Sequence, residues 1–447
     1  MKKLLKYAFL PLLIVTQANK ATAQNPLITT IYSADPSARV FGDSVYVYPS
    51  HDIIATEGKG RPGWFCMEDY HVFASKNLTD WKDDGIVVTQ NKIPWVKPDS
   101  YSMWAPDCIE RNDKYYFYFP APPKDSTYGR GFAIGVAIAD KPSGPFIPQA
   151  EPIKGVHGID PNVFIDKDGQ AYLYWALGNI YGAKLKSNML ELDGEVKKLE
   201  ALPGKGLKEG PYLFERNGIY YLTYPHVADK TEQLEYAISD NPLGPFKVTG
   251  VIMDESPHCW TNHQSIIQYK NQWYLFYHSN DLSPNFDKAR SVRADSLFFN
   301  EDGTIKKVIP TLRGIGVTNA TSEIQIDRYT AKANEGVTVD FIDTPNRFKG
   351  WKTILDKPDA WIQYNAVSFP MRKLKSVVVK ANSSTGGTLE IRSDNLNNPL
   401  IATIEIPKTN DWKEIKAPLT SFKFGPQNLI VSLKTNSNVQ VDWIKFE

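Results

Sequence analysis

Lys208-Glu209-Gly210-Pro211-Tyr212-Leu213-Phe214-Glu215-Arg216-Asn217-Gly218-Ile219-Tyr220-Tyr221-Leu222-Thr223-Tyr224 is the stretch that decides the fold. An acidic residue stands at a Gly-Pro turn, a short strand follows, Asn217-Gly218 turns the chain, and an aromatic strand returns. Asn-Gly between two alternating apolar runs is a strong hairpin signal. The chain repeats this phrase five times. Asp35-Pro36 leads through Gly42-Asp43 to Val45-Tyr46-Val47-Tyr48, and Pro106-Asp107 through Asn112-Asp113 to Tyr115-Tyr116-Phe117-Tyr118. Asp160-Pro161 leads through Asp168-Gly169 to Ala171-Tyr172-Leu173-Tyr174, and His263-Gln264-Ser265 through Lys270-Asn271 to Trp273-Tyr274-Leu275-Phe276-Tyr277.

Strand-rich units of roughly 50 residues mark a β-propeller, here of five blades around a central channel. Segments such as His71-Val72-Phe73-Ala74-Ser75 and Leu234-Glu235-Tyr236-Ala237-Ile238-Ser239 supply further strands for each blade. Two turns match closely: Lys141-Pro142-Ser143-Gly144-Pro145-Phe146 and Asn241-Pro242-Leu243-Gly244-Pro245-Phe246. Equivalent positions in a propeller lie at equivalent radii, so Asp35, Asp107, Asp160, Glu209 and His263 are expected around one end of the channel. Carboxylates crowded into a walled cavity have their pKa values pushed apart, which suits acid–base chemistry.

The rest of the chain frames that unit. Residues 1–23 carry Lys2, Lys3 and Lys6, an apolar run around residues 9–15 and Ala21-Thr22-Ala23, the anatomy of a signal peptide. The run is too short to span a bilayer, so an exported protein without a membrane span is expected, in the periplasm, on the cell surface or secreted. Lys and Arg number 51 against 50 Asp and Glu, with no basic stripe, which argues against nucleic acid as a partner. Three cysteines are too few for a disulfide scaffold and read as buried thiols. After Thr318-Asn319-Ala320 the Tyr-Tyr signature ends, and seven or more short strands with polar turns read as a β-sandwich. The expected organisation is all-β: a signal peptide over residues 1–23, a five-bladed propeller over 25–318, and a β-sandwich of jelly-roll type over 323–447.

Five motifs in this order resemble glycoside hydrolase family 43: Ala34-Asp35-Pro36, Tyr101-Ser102-Met103-Trp104-Ala105-Pro106-Asp107, Gly158-Ile159-Asp160-Pro161, Lys208-Glu209-Gly210-Pro211-Tyr212 and Asn262-His263-Gln264-Ser265. The tail is similar to carbohydrate-binding module family 6 through Ile324-Gln325-Ile326-Asp327-Arg328-Tyr329, Gly387-Thr388-Leu389-Glu390-Ile391-Arg392 and Val441-Asp442-Trp443-Ile444-Lys445-Phe446. The first resemblance implies an inverting exo-glycosidase of hemicellulose breakdown, a β-xylosidase or α-L-arabinofuranosidase acting on xylan, arabinoxylan or arabinan fragments. It implies Asp35 as general base, Glu209 as general acid, and Asp160 as the group that orients Glu209 and raises its pKa. Turn capping is the structural alternative for these acids.

Trp104, Asp107 and Arg290 are candidates for substrate contact, with core packing, a structural role and an ordinary surface arginine as their respective alternatives. His51, Trp64 and Phe65 are candidates for the pocket rim. The resemblance requires no cofactor and allows calcium in the propeller channel, with His263 as a direct or water-mediated ligand, or in the sandwich domain. There, Gln325 and Asp327 replace the usual pair of glutamates. Trp351, Trp361 and Tyr364 are candidates for a sugar-stacking platform. An endo-acting arabinanase or xylanase would use the same acids in an open groove. A non-catalytic carbohydrate-binding protein is the alternative of another class, and the three intact acids argue against it.

Overall fold

The computed structural model describes residues 25–129 and 131–447; the expected signal peptide lies outside the described residues. Four antiparallel sheets have four strands each. Blade I runs Tyr32–Phe41, Ser44–Asp52, Asp69–Ser75 and Lys82–Thr89; blade II Asp107–Arg111, Lys114–Ala121, Ala133–Ala139 and Ile147–Pro148. Blade III runs Ile159–Ile165, Ala171–Ala176, Ile180–Leu185 and Lys197–Lys198; blade IV Tyr212–Arg216, Ile219–Val227, Glu232–Ser239 and Lys247–Met253. Blade V has three strands, Ser265–Tyr269, Gln272–Ser279 and Ser291–Leu297. The first strands of successive blades touch in a closed ring, V against I included. The five-bladed propeller expected from the repeats is the fold found.

The turn chemistry explains the hairpins. Asn217-Gly218 is closed by the pair Arg216↔Ile219, Asn112-Asp113 by Arg111↔Lys114, and Lys270-Asn271 by Tyr269↔Gln272. All six turn residues take positive φ, the conformation that matches the twist of a two-residue hairpin.

The repeated tyrosines have a shared purpose. One tyrosine of each blade buries its ring at a seam and spends its hydroxyl on a neighbouring backbone carbonyl. Tyr48 of blade I donates to Pro142 at 2.6 Å, Tyr118 of blade II to Met189 at 2.7 Å, and Tyr174 of blade III to Pro242 at 2.7 Å. Tyr221 of blade IV donates to Gly303 at 2.8 Å, and Tyr269 of blade V reaches back to Asp43 at 2.7 Å. The two matching turns, with Pro142 and Pro242, are acceptors at equivalent places in this scheme. Apolar clusters fill every blade-to-blade seam.

The N-terminal segment closes the ring. Leu27 N–H donates to Val292 O, and the Asn25 side-chain amide exchanges two hydrogen bonds with the Ala294 backbone, alongside the three-stranded blade V. The sandwich follows, with one sheet containing Trp361–Phe369, Gly387–Ser393, Leu400–Ile406 and Gly425–Leu433, and another containing Trp351–Leu355, Ser376–Ser383, Thr409–Pro418 and Val439–Phe446. Thr318–Asn319 already pairs in parallel with Val367 and Ser368 of the first sheet. Arg328 donates to Asn25 O and Arg313 to Asn365 O at 2.8 Å, tying the two domains together. No helix among the described residues is long and apolar enough to cross a membrane. All three cysteines are buried free thiols.

Asp107 departs from the sequence expectation. It offers nothing to a bound molecule, because its carboxylate is consumed inside the ring. It accepts from Arg39 Nη2 at 2.5 Å, Ser37 Oγ at 2.6 Å and Val163 N at 2.7 Å, joining blades I, II and III. Removing one partner of a buried charge pair leaves the other uncompensated, at a cost of about 3–5 kcal/mol. Asp107→Ala should therefore lower the free energy of unfolding by about that amount, read from urea denaturation. It should leave kcat unchanged under conditions where the variant is folded.

Candidate active site

Asp35, Asp160 and Glu209 sit at the inner ends of blades I, III and IV, each one or two residues before a proline. Proline restricts its predecessor, and here the backbone turns left-handed: φ is +46° at Asp35, +57° at Asp160 and +50° at Gly210. The strand register slips beside Asp35, between Ala34 and Ser37, and opposite Asp160, between Tyr174 and Ala176. Such bulges re-aim a side chain out of the ladder. Both aspartates thereby turn into the funnel, and Gly210 lets Glu209 do the same.

These three acids and His263 line one cavity of about 120 Å³, walled by Trp64, Phe65, Trp104 and Trp260. Below it, the first-strand starts of all five blades narrow the channel to about 10 Å³, the room of a single water. At that width the channel admits no sugar ring. His51 is not part of its lining. It lies on the strand face opposite Ser50 and Asp52, where His51 Nδ1 meets Asp69 Oδ1 at 2.6 Å and His71 pairs with Asp83.

Asp35 is held as a carboxylate. Burial pushes its pKa up, but the Arg290 guanidinium, with help from His278, His263 and the Ser50 hydroxyl, outweighs that and holds it at about 2. Arg290 Nη1 donates to Asp35 Oδ1 at 2.8 Å and Nη2 to Oδ2 at 3.1 Å, while Nε and Nη2 grip Asp52 at 2.9 and 3.0 Å. The remaining Nη1 hydrogen goes to Thr261 Oγ1 at 3.3 Å. All five donors are used. Arg290 thus borders the cavity and orients Asp35, with no N–H left over for a sugar. His278 Nδ1 accepts from Asp35 N–H at 3.1 Å, and burial lowers its pKa to about 3. It is a neutral ring whose proton sits on Nε2, facing Thr261 O at 3.0 Å.

Glu209 has the opposite environment. Burial raises its pKa well above the usual carboxyl range, and the Glu232 carboxyl in hydrogen-bond contact raises it further. Burial also raises Asp160, to about 7, against the pull of His263; its Oδ2 accepts from Gly210 N at 2.9 Å. Asp160 therefore reaches Glu209 through the adjoining peptide, whereas Glu232 touches it directly. Sequence reasoning missed Glu232, Asp52, His278 and Trp260. Only Glu232 carried a signal: it shares the alternating inward register of Leu234 and Tyr236, where a charge is out of place.

Calcium asks for six to eight oxygen ligands. At the channel mouth Asp35 is engaged by Arg290, and His263 is a lone imidazole. In the sandwich, Asp327 is paired with Arg328 at 2.7 Å. Neither set forms a cage of protein oxygens, and no step below is routed through a metal. The sandwich aromatics differ from expectation as well. Tyr364 is fully buried in the core, and Trp351 is buried between Arg328, 3.8 Å from its ring centre, and Phe341. Trp361 is half-buried.

The family model for glycosyl hydrolases family 43 matches residues 23–305. The chain belongs to glycosyl hydrolase family 43. The model for carbohydrate binding module family 6 matches residues 329–447. The family 43 chain is 37% identical over 331 residues to xylosidase/arabinosidase 43A of Humicola insolens, covering 63% of this chain and 98% of that one. It is 37% identical over 322 residues to a β-xylosidase of Xylanibacter ruminicola, covering 62% and 97%. A solved family 43 β-xylosidase/α-arabinofuranosidase from a compost microbial metagenome, in complex with xylotriose and calcium-free, superposes with a TM-score of 0.59 at 35% identity, covering 65% and 98%.

A Cβ at Gly210 would stand 2.8 Å from Pro225 Cδ and 3.1 Å from His263 Nδ1, on a backbone that L residues avoid at a cost of about 1–2 kcal/mol. Gly210→Ala should lower the thermal midpoint and, by displacing Glu209, reduce kcat/KM on the order of tenfold to a hundredfold. Thermal unfolding and steady-state kinetics on one preparation check both.

Proposed function

We propose that this protein is an exported, inverting exo-glycosidase that releases single xylose or arabinofuranose units from xylan, arabinoxylan or arabinan fragments. One observation carries the proposal: a cavity of about 120 Å³ above a channel of about 10 Å³ holds one carboxyl kept ionised by an arginine and another kept protonated by burial and a neighbouring acid. Two carboxyls with separated proton affinities are the requirement for glycoside hydrolysis. The relatives named xylosidase or arabinosidase support the choice of pentose, and residues 1–23 support export.

In the proposed mechanism, Asp35 takes a proton from a water, which attacks the anomeric carbon on the face opposite the leaving group. Glu209 gives its proton to the glycosidic oxygen as that C–O bond breaks. The products leave with the anomeric configuration inverted, and solvent returns the two acids to their starting protonation. Asp160 holds the Glu209–Gly210 peptide by its carboxylate. The walls of Trp64, Phe65, Trp104 and Trp260 offer aromatic faces to the C–H groups of one ring and leave no path for a chain to continue. An endo-acting enzyme would need an open groove in place of this floor.

Proton NMR of xylobiose hydrolysis should show α-xylose as the first-formed sugar from the cleaved β-linkage, with no longer products from xylan. Glu209→Gln and Asp35→Asn should each lower kcat on xylobiose by about 10²–10⁴-fold. Glu209→Gln should lose less on an aryl glycoside, whose leaving group needs little protonation. β-Xylose as the first anomer, or full activity in either folded variant, would defeat the proposal.

A further inference from the structure

Glu232 opens the third strand of blade IV and is completely buried, behind Glu209 and outside the cavity lining. Its backbone N–H donates to Trp260 O at 3.1 Å, and its Oε2 accepts from Asn262 N at 2.6 Å. Oε1 has no hydrogen-bond donor among the described residues, and the Glu232 side chain lies in hydrogen-bond contact with the Glu209 carboxyl. Two carboxyls in such contact cannot both be ionised; one proton must lie between them. The Asn262 N–H favours negative charge on Glu232, which leaves the proton with Glu209, the member that faces the sugar.

We infer that Glu232 is a positioning residue that keeps the Glu209 carboxyl protonated through a shared hydrogen bond, and so sets the upper pH limit of the reaction. This rests on Glu209 being the general acid. The charged groups around the pair are Asp35 and Asp160, which add negative charge, and Arg290, which opposes it. Burial raises Glu232 as well, which helps the pair hold its one proton, and the Asn262 N–H and the Glu209 contact offset part of that rise. Farther along the strand, Glu235 is paired with His226 at 2.9 Å. The sign follows directly. With Glu232 neutralised, Glu209 loses the neighbour that raises its pKa, ionises at lower pH, and is spent as an acid sooner.

The test is the pH profile of kcat/KM on xylobiose for wild type, Glu232→Gln, Glu232→Asp and Glu209→Gln, each checked for folding by circular dichroism. Glu232→Gln should move the basic limb down by about one pH unit or more, making its deficit about tenfold greater at pH 8 than at pH 5. Glu232→Asp, which keeps a carboxylate, should move it less; if the Gln variant does not fold, the Asp variant carries the test. A loss equal at every pH would make Glu232 only an anchor for the Trp260–Asn262 loop, and an unmoved limb would likewise overturn the inference. Full activity in Glu209→Gln would instead defeat the acid assignment beneath it.

Discussion

The buried guanidinium of Arg290 is the interaction on which fold and site both depend. Arg290 belongs to blade V, and its partners Asp35 and Asp52 belong to blade I, so the pair spans the seam where the ring closes. Buried ion pairs are weak evidence for net stability, because desolvation offsets the attraction. What this one does without ambiguity is fix a charge state. It keeps Asp35 ionised in a cavity whose burial would otherwise protonate it. In the same cavity, Glu209 faces another carboxyl in place of a cation. The asymmetry between the two carboxyls therefore comes from the charge each one faces.

A backbone constraint delivers the acids to that cavity. An unstrained strand would put Asp35 and Asp160 into the ladder, with side chains alternating between sheet faces. The proline that follows each one, the left-handed turn and the slipped register together break the alternation once, at the inner edge of the blade. Strained, non-glycine φ values of this kind persist where surrounding structure over-determines them, and they cluster at functional sites. Here the surroundings are the tyrosine hydroxyls and seam clusters that lock each blade to the next.

The propeller was legible because its information is local and repeated. Two-residue turns, Tyr-rich second strands and pre-proline acids recur at matching offsets, and equivalence under rotation then places Asp35, Asp160, Glu209 and His263 together. The same logic misplaced Asp107: it follows its proline, so Ala105 takes the place of Asp35 in the cavity lining and Asp107 lies deeper in the ring, against Arg39. Asp52 and His278 were illegible for a related reason. Each acts through one partner distant in the chain, and a single long-range contact leaves no periodic trace. In the sandwich, the candidate platform aromatics could not be sorted into core and surface from the sequence. Trp351 illustrates why: its covering, Arg328, comes from the segment that also binds Asn25 of the propeller.

The central claim is that Asp35 is the base opposite a protonated Glu209, and chemical rescue tests it most directly. Asp35→Gly suits the left-handed backbone at that position and opens a space beside the Arg290 guanidinium that a small anion can fill. With an activated aryl β-xyloside, added azide should restore turnover to the folded variant and yield the α-xylosyl azide. No rescue, or a β-configured azide, would contradict the assignment of Asp35 and the inverting geometry built on it.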